Sequence, residues 1–87
     1  MIKVDKEHIS MFMLAEAYSE KHKTEEKIRF FKNNYQKELH EFEKYLTEIN
    51  ESFDLYDDYM EWKAYENYLI DLNKKIQELQ SGNIQVA

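Results

Sequence analysis

The 87-residue chain has no proline, and its only glycine is Gly82. The usual punctuation is therefore missing between Asp5 and Gln80, where Glu, Lys, Leu and Tyr dominate, and helix is the default state of the backbone. A chain of this length holds one domain and hides only roughly 60 to 65% of the surface its unfolded form exposes, so association with a second chain is expected to add to its stability. The reading is a single all-α domain over 1–87, with 1–5 and 82–87 as extended or frayed ends.

Hydrophobic spacing divides the helical stretch. Ile28, Phe31, Tyr35, Leu39, Phe42, Leu46 and Ile49 recur at intervals of three and four, which draws one apolar stripe along a helix predicted to start at a Thr24 cap, with Glu25 and Glu26 opposing the positive end of its dipole. After Asn50 to Ser52 the pattern restarts behind Asp54, the candidate N-cap of the next helix, which leaves Phe53 in the turn. Leu55, Tyr59, Trp62, Tyr65, Leu69, Leu72, Ile76 and Leu79 then follow, alternating steps of three and four from Tyr59 onward as in a coiled-coil seam. Two such stripes joined by a short polar turn predict an antiparallel helical hairpin. A shorter first helix, about Lys6 to Lys21, completes a three-helix bundle. It is apolar nearly all round, with Ile9, Phe12 and Met13 facing one way and Met11, Leu14, Ala15 and Tyr18 the other. A helix of that kind is covered on two sides, and one hairpin supplies only one cover. Met11, Leu14, Ala15 and Tyr18 are accordingly the expected interface with a second copy; the bland alternative is a core helix with one half-exposed flank.

Lengths point the same way. About 25 residues of helix span roughly 38 Å, against about 24 Å for the first helix, so part of the hairpin is left for solvent, a second copy or a partner. The ends alternate like short strands, Ile2 and Val4 before the helices and Ile84 and Val86 after Gly82. Such strands would pair with another chain; fraying is the alternative.

Composition excludes several chemistries. No cysteine means no disulfide, thiolate metal site or thiol nucleophile. His8, His22 and His40 are far apart and lack HExxH spacing, no serine stands in a nucleophile-elbow motif, and no Glu-x-x-His pair is present for a di-iron bundle. No catalytic constellation, metal site or cofactor is therefore expected, and the acids at 54, 57, 58 and 61 read first as dipole-matching residues on a solvated helix start. No apolar run approaches the roughly 18 residues that cross a bilayer, and Met1 to His8 lacks a signal-peptide layout, which leads us to expect a cytoplasmic chain with no membrane partner. A net charge of −6 disfavours nucleic acid and favours basic proteins.

Aromatics are 15% of the chain, more than so small a core needs. Phe30, Tyr56, Met60 and Tyr68 fall off the stripes, and residue types of this kind bury much area in protein interfaces at modest entropic cost. The expected partner-binding set is Tyr56, Asp57, Asp58, Tyr59, Met60, Glu61, Trp62, Tyr65 and Tyr68, with Ile84 and Val86 of the tail. Within it, Tyr59, Trp62 and Tyr65 anchor the contact or its supporting core, while Asp57, Asp58 and Glu61 steer the encounter.

From Phe31 to Leu79 the chain resembles a group of short prokaryotic proteins that look like the antitoxin members of toxin-antitoxin pairs. The resemblance is carried by Tyr35, Leu39 and Phe42, by Asp57-Asp58 and Glu61-Trp62 entering a second helix, and by Leu72, Ile76 and Leu79. It implies binding and neutralisation of a cognate toxin, often an RNase, which would be basic where RNA lies. Where the pattern often has glycine after the tyrosine, this chain has Gln36 and Lys37, so the helix is expected to run straight through. Two other readings stand beside it: a homodimeric helical adaptor without a toxin, and a ribbon-helix-helix DNA-binding layout with Met1 to Asp5 as the ribbon.

Overall fold

The computed structural model describes residues 6–49 and 53–81, with side-chain environments from residue 8 onward. The predicted terminal strands, with Ile84 and Val86, lie outside the described residues. Within them the chain is all-α: α1 spans Lys6–Tyr35, α2 Leu39–Glu48 and α3 Phe53–Ser81.

Two helix boundaries differ from expectation. Lys6–Tyr35 is one helix of 30 residues, about 45 Å long, with no interruption near Lys21 and no cap at Thr24. The reason is local: the Thr24 hydroxyl donates to the carbonyl of Glu20 at 2.7 Å, so the side chain that could have capped a new helix is satisfied inside an existing one. Its neighbours are good helix formers, and Thr24 is buried against the rest of the fold.

The second difference is a break where continuity was expected. Gln36 takes φ 54°, the left-handed region, and its side-chain amide donates to the Asn33 carbonyl at 2.7 Å. The chain then restarts at Leu39, with the Glu38 backbone N–H donating to Glu41 Oε1 at 3.1 Å and Lys32 of α1 paired to Glu38 at 2.9 Å. The register of α1 on α3 explains the break. Phe31 stacks on Trp62, Tyr35 reaches Asp58, and Ala17 packs beside Ile76 and Leu79, so partners fall in number along α3 as they rise along α1 and the two helices run antiparallel. In that register a straight α1 carried beyond about residue 42 would overrun the start of α3 and leave its apolar stripe uncovered. Turning at Gln36 brings Phe42 back to full burial. Burying a phenylalanine contributes roughly 1.5–3 kcal/mol, which offsets the ~1–2 kcal/mol cost of one non-glycine residue in the left-handed region.

Two cores follow. The larger joins Ile28, Phe31, Phe42, Tyr59 and Trp62, with Tyr35, Leu39, Leu46, Leu55, Tyr65 and Leu69 packed around them. Trp62 and Phe42 are 0% exposed. Phe31 and Tyr35 lie nearly parallel to the indole at centroid distances of 5.7 and 6.4 Å, and Phe42 sits 4.3 Å from Tyr35 and 5.6 Å from Trp62. The buried indole N–H donates to Glu66 Oε1 at 3.3 Å. Among the described residues the smaller core holds Ala17, Ile76 and Leu79, with Met13 and Leu14 against it.

Candidate functional site

Because α3 gives one face to α1 and α2, the opposite face stays open along its length. Phe53, Tyr56, Met60 and Ala64 follow one another at steps of three, four and four, and Tyr68 continues the row one turn further on. All are exposed, Phe53 most of all at 83%. Asp54, Asp57 and Glu61 beside the row are exposed as well. Over its length α3 carries seven acidic and three basic residues, so the apolar row runs through a negative field.

A groove of about 500 Å³ adjoins this face, where α1 passes α3. Its walls include Lys23, Lys27 and the exposed ring of Phe30 on α1, with Asp58 and Glu61 on α3. Phe30 meets the buried Phe31 edge to face, with centroids 5.7 Å apart, so an exposed ring rests directly on the core.

The expected partner-binding residues therefore separate into three groups. Tyr56, Asp57, Met60, Glu61 and Tyr68 share the open face. Tyr56, Met60 and Tyr68 are 55%, 50% and 43% exposed, so α1 does not bury them. Tyr59 and Trp62 are core residues with almost no exposed surface, so in the single chain they support the face without forming it. Asp58 and Tyr65 are intermediate. The Asp58 carboxylate accepts a hydrogen bond from the Tyr35 hydroxyl and is thereby tied to α1. Burial, reinforced by that carboxylate, pushes the Tyr35 phenol up to about 12. The Tyr65 hydroxyl donates to Glu61 Oε1 at 3.2 Å, and burial first, then this bond, raises its phenol above the ordinary value. At the α1–α2 break the hydrogen bond to Glu38 holds the Lys32 ammonium above its usual value, with burial opposing it. Phe53 was missed by sequence reasoning, although it stands three residues before Tyr56 on the same row; its place ahead of the presumed Asp54 cap had put it in the turn.

On α1 the four residues expected at an interface do not share one exposure. Met11, Ala15 and Tyr18 are exposed as anticipated, while Leu14 turns inward against Ala17, Ile76 and Leu79. Phe12, expected to face inward, is 71% exposed. With apolar residues on all sides of this segment, hydrophobic spacing alone leaves the rotation of the helix undetermined; Ala17, three residues after Leu14, sets it by packing on α3.

Among the described residues no three His, Asp or Glu side chains come together to hold a metal ion, and no helix is long and apolar enough to cross a membrane. Comparison of the chain with protein-family models, curated proteins and solved structures finds no match.

Proposed function

We propose that this chain is a non-enzymatic protein-binding module that receives a basic partner on the open face of α3. The observation that carries the reading is the exposed row of Phe53, Tyr56 and Met60 set among Asp54, Asp57 and Glu61, on a helix whose other side is packed into the buried Trp62 core. Large rings held by a rigid helix lose little entropy on binding, and the acids raise the encounter rate with a basic surface. The resemblance gives the partner its specific form: a cognate toxin, RNase-type, whose RNA-binding cleft is basic and which the bound helix would occlude.

Charge reversal separates steering from folding. The partner to test is a basic protein encoded by a reading frame beside this one. Asp57→Lys combined with Glu61→Lys, which spares the Tyr35–Asp58 link, is expected to slow association with such a protein by about tenfold or more at low salt, and to have little effect at high salt. Stopped-flow or surface-based kinetics reads this directly, and an unchanged rate at low salt removes the steering role. An adaptor without a toxin partner is the second reading, favoured by the exposed α1 residues. The ribbon-helix-helix reading has no support in α1, which runs unbroken from Lys6 to Tyr35 where that layout needs a turn between two helices.

A further inference from the structure

We propose that the outward face of the N-terminal half of α1, centred on Ala15, pairs antiparallel with the same face of a second copy of this chain. Three observations carry it. Met11, Phe12 and Tyr18 are 64%, 71% and 43% exposed and flank the small, exposed Ala15 within two turns of one helix. At 150–250 Å² for a fully exposed ring, and a similar value for methionine, they offer roughly 350 Å² of open area per copy. That approaches half of the ~800 Å² per partner in a standard interface, and the neighbouring side chains of the same face, Ser19 and His22 among them, add to it.

Charge selects the occupant. The chain carries −6 overall, yet α1 holds six basic and five acidic residues, while α2 holds one and three and α3 three and seven. The excess negative charge therefore belongs to α2 and α3. Two copies meeting on α1 bring near-neutral helices together and keep their acidic helices apart. Two copies meeting on α3 would bring like charges together, and a basic partner gains nothing electrostatic on α1.

Geometry supplies the register. Phe12 and Tyr18 stand three residues either side of Ala15, so a two-fold axis at Ala15 sets each Phe12 against the partner copy's Tyr18, and each Tyr18 against its Phe12, in a self-complementary contact. The alanine at the crossing lets the helix axes approach to about 8 Å. The Tyr18 hydroxyl accepts a hydrogen bond from the Gln80 side-chain amide at 2.7 Å, which holds this ring on the α1–α3 frame. The pairing lies over the smaller core of Ala17, Ile76 and Leu79, which among the described residues has fewer buried side chains than the Trp62 core.

Sedimentation velocity of the full chain over a concentration series tests the proposal. Wild type is expected to move from the 10.7 kDa chain mass toward twice that value within the micromolar range. Phe12→Glu and, independently, Ala15→Glu should raise the dimer dissociation constant by about a hundredfold, since Ala15→Glu would bury like charges against one another at the axis and Phe12→Glu would bury an unpaired carboxylate against the partner copy's Tyr18. Circular dichroism should show unchanged helicity for both, because both sites are exposed. Met60→Glu on α3 should leave the dimer intact. As the chain has no native cysteine, Ala15→Cys should oxidise to a covalent dimer, and adding Phe12→Glu should suppress it. The proposal is overturned if wild type stays at the single-chain mass at high concentration, if Met60→Glu dissociates the dimer and Phe12→Glu does not, or if Phe12→Glu leaves a monomeric chain with weakened affinity for a basic partner.

Discussion

The two ends of the α1–α3 pair are built on different principles. At one, α2 folds back to make a third element, and a tryptophan is enclosed by Phe31, Tyr35 and Phe42. At the other, two helices meet over an alanine, an isoleucine and a leucine, and the largest apolar side chains point outward. The first end completes its burial within the chain and leaves an open α3 face free to bind something else. The second leaves its α1 face short of a cover, which the proposed second copy supplies. On these two proposals the exposed apolar surface has two different uses in one small protein, a face for a partner on α3 and a face for a second copy on α1.

Truncations at the two ends give the largest expected contrast. Trp62→Ala should cost about 3–5 kcal/mol, a large part of the stability of an 87-residue domain, and thermal unfolding should show a loss of cooperative structure along the whole chain. Ile76→Ala should cost about 2–3 kcal/mol, and its effect should concentrate in faster amide hydrogen exchange at the Ala17–Leu79 end, with the Trp62 end retaining its protection. Equal costs and equal spreading would erase the distinction between the two cores.

Tyr35→Phe examines the link from α1 to Asp58. The Tyr35 phenol is raised in the folded state, from the ordinary 10 to about 12, so the stability it contributes is fully present below pH 10 and is lost as pH rises through about 12, where the unfolded chain would already have released the proton. The Tyr35→Phe variant should therefore show a shallower fall in stability between pH 10 and 12 than wild type, in denaturant titrations at matched salt. Identical slopes would remove the coupling. Gln36→Gly is the smallest effect: relief of the left-handed backbone should raise stability by about 1 kcal/mol, less the extra freedom of glycine in the unfolded chain, and a loss instead would mean that the Gln36–Asn33 bond matters more than the backbone conformation.

Much of the fold was legible in residue spacing. The stripe from Tyr59 to Leu79 is the buried face of α3, and Ile28, Phe31, Tyr35 and Phe42 line the main core, because regular apolar spacing on a helix reports directly which side is covered. Helix boundaries were less legible, for two separate reasons. Thr24 carries the same hydroxyl whether it caps a helix or bonds back within one, and the choice depends on neighbours with no breaker among them. The turn at Gln36 is imposed by the register of α1 on α3, a contact between residues far apart in sequence, against the local preference of glutamine. The candidate site divides in the same manner. Tyr56, Met60 and Tyr68 were identifiable as off-stripe, whereas the capture of Asp58 by Tyr35 and the exchange of Leu14 for Phe12 on the open side of α1 needed the packed structure.

The central claim, that α3 and α1 present two faces to two different partners, is tested most directly by one crossed binding measurement. Wild type, Phe12→Glu and Met60→Glu are each sedimented alone and with the basic product of a neighbouring reading frame. The account predicts that Phe12→Glu abolishes self-association and still binds the basic protein, while Met60→Glu self-associates and no longer binds it. A single substitution that removes both interactions with the helices intact, or neither substitution removing either, would contradict it.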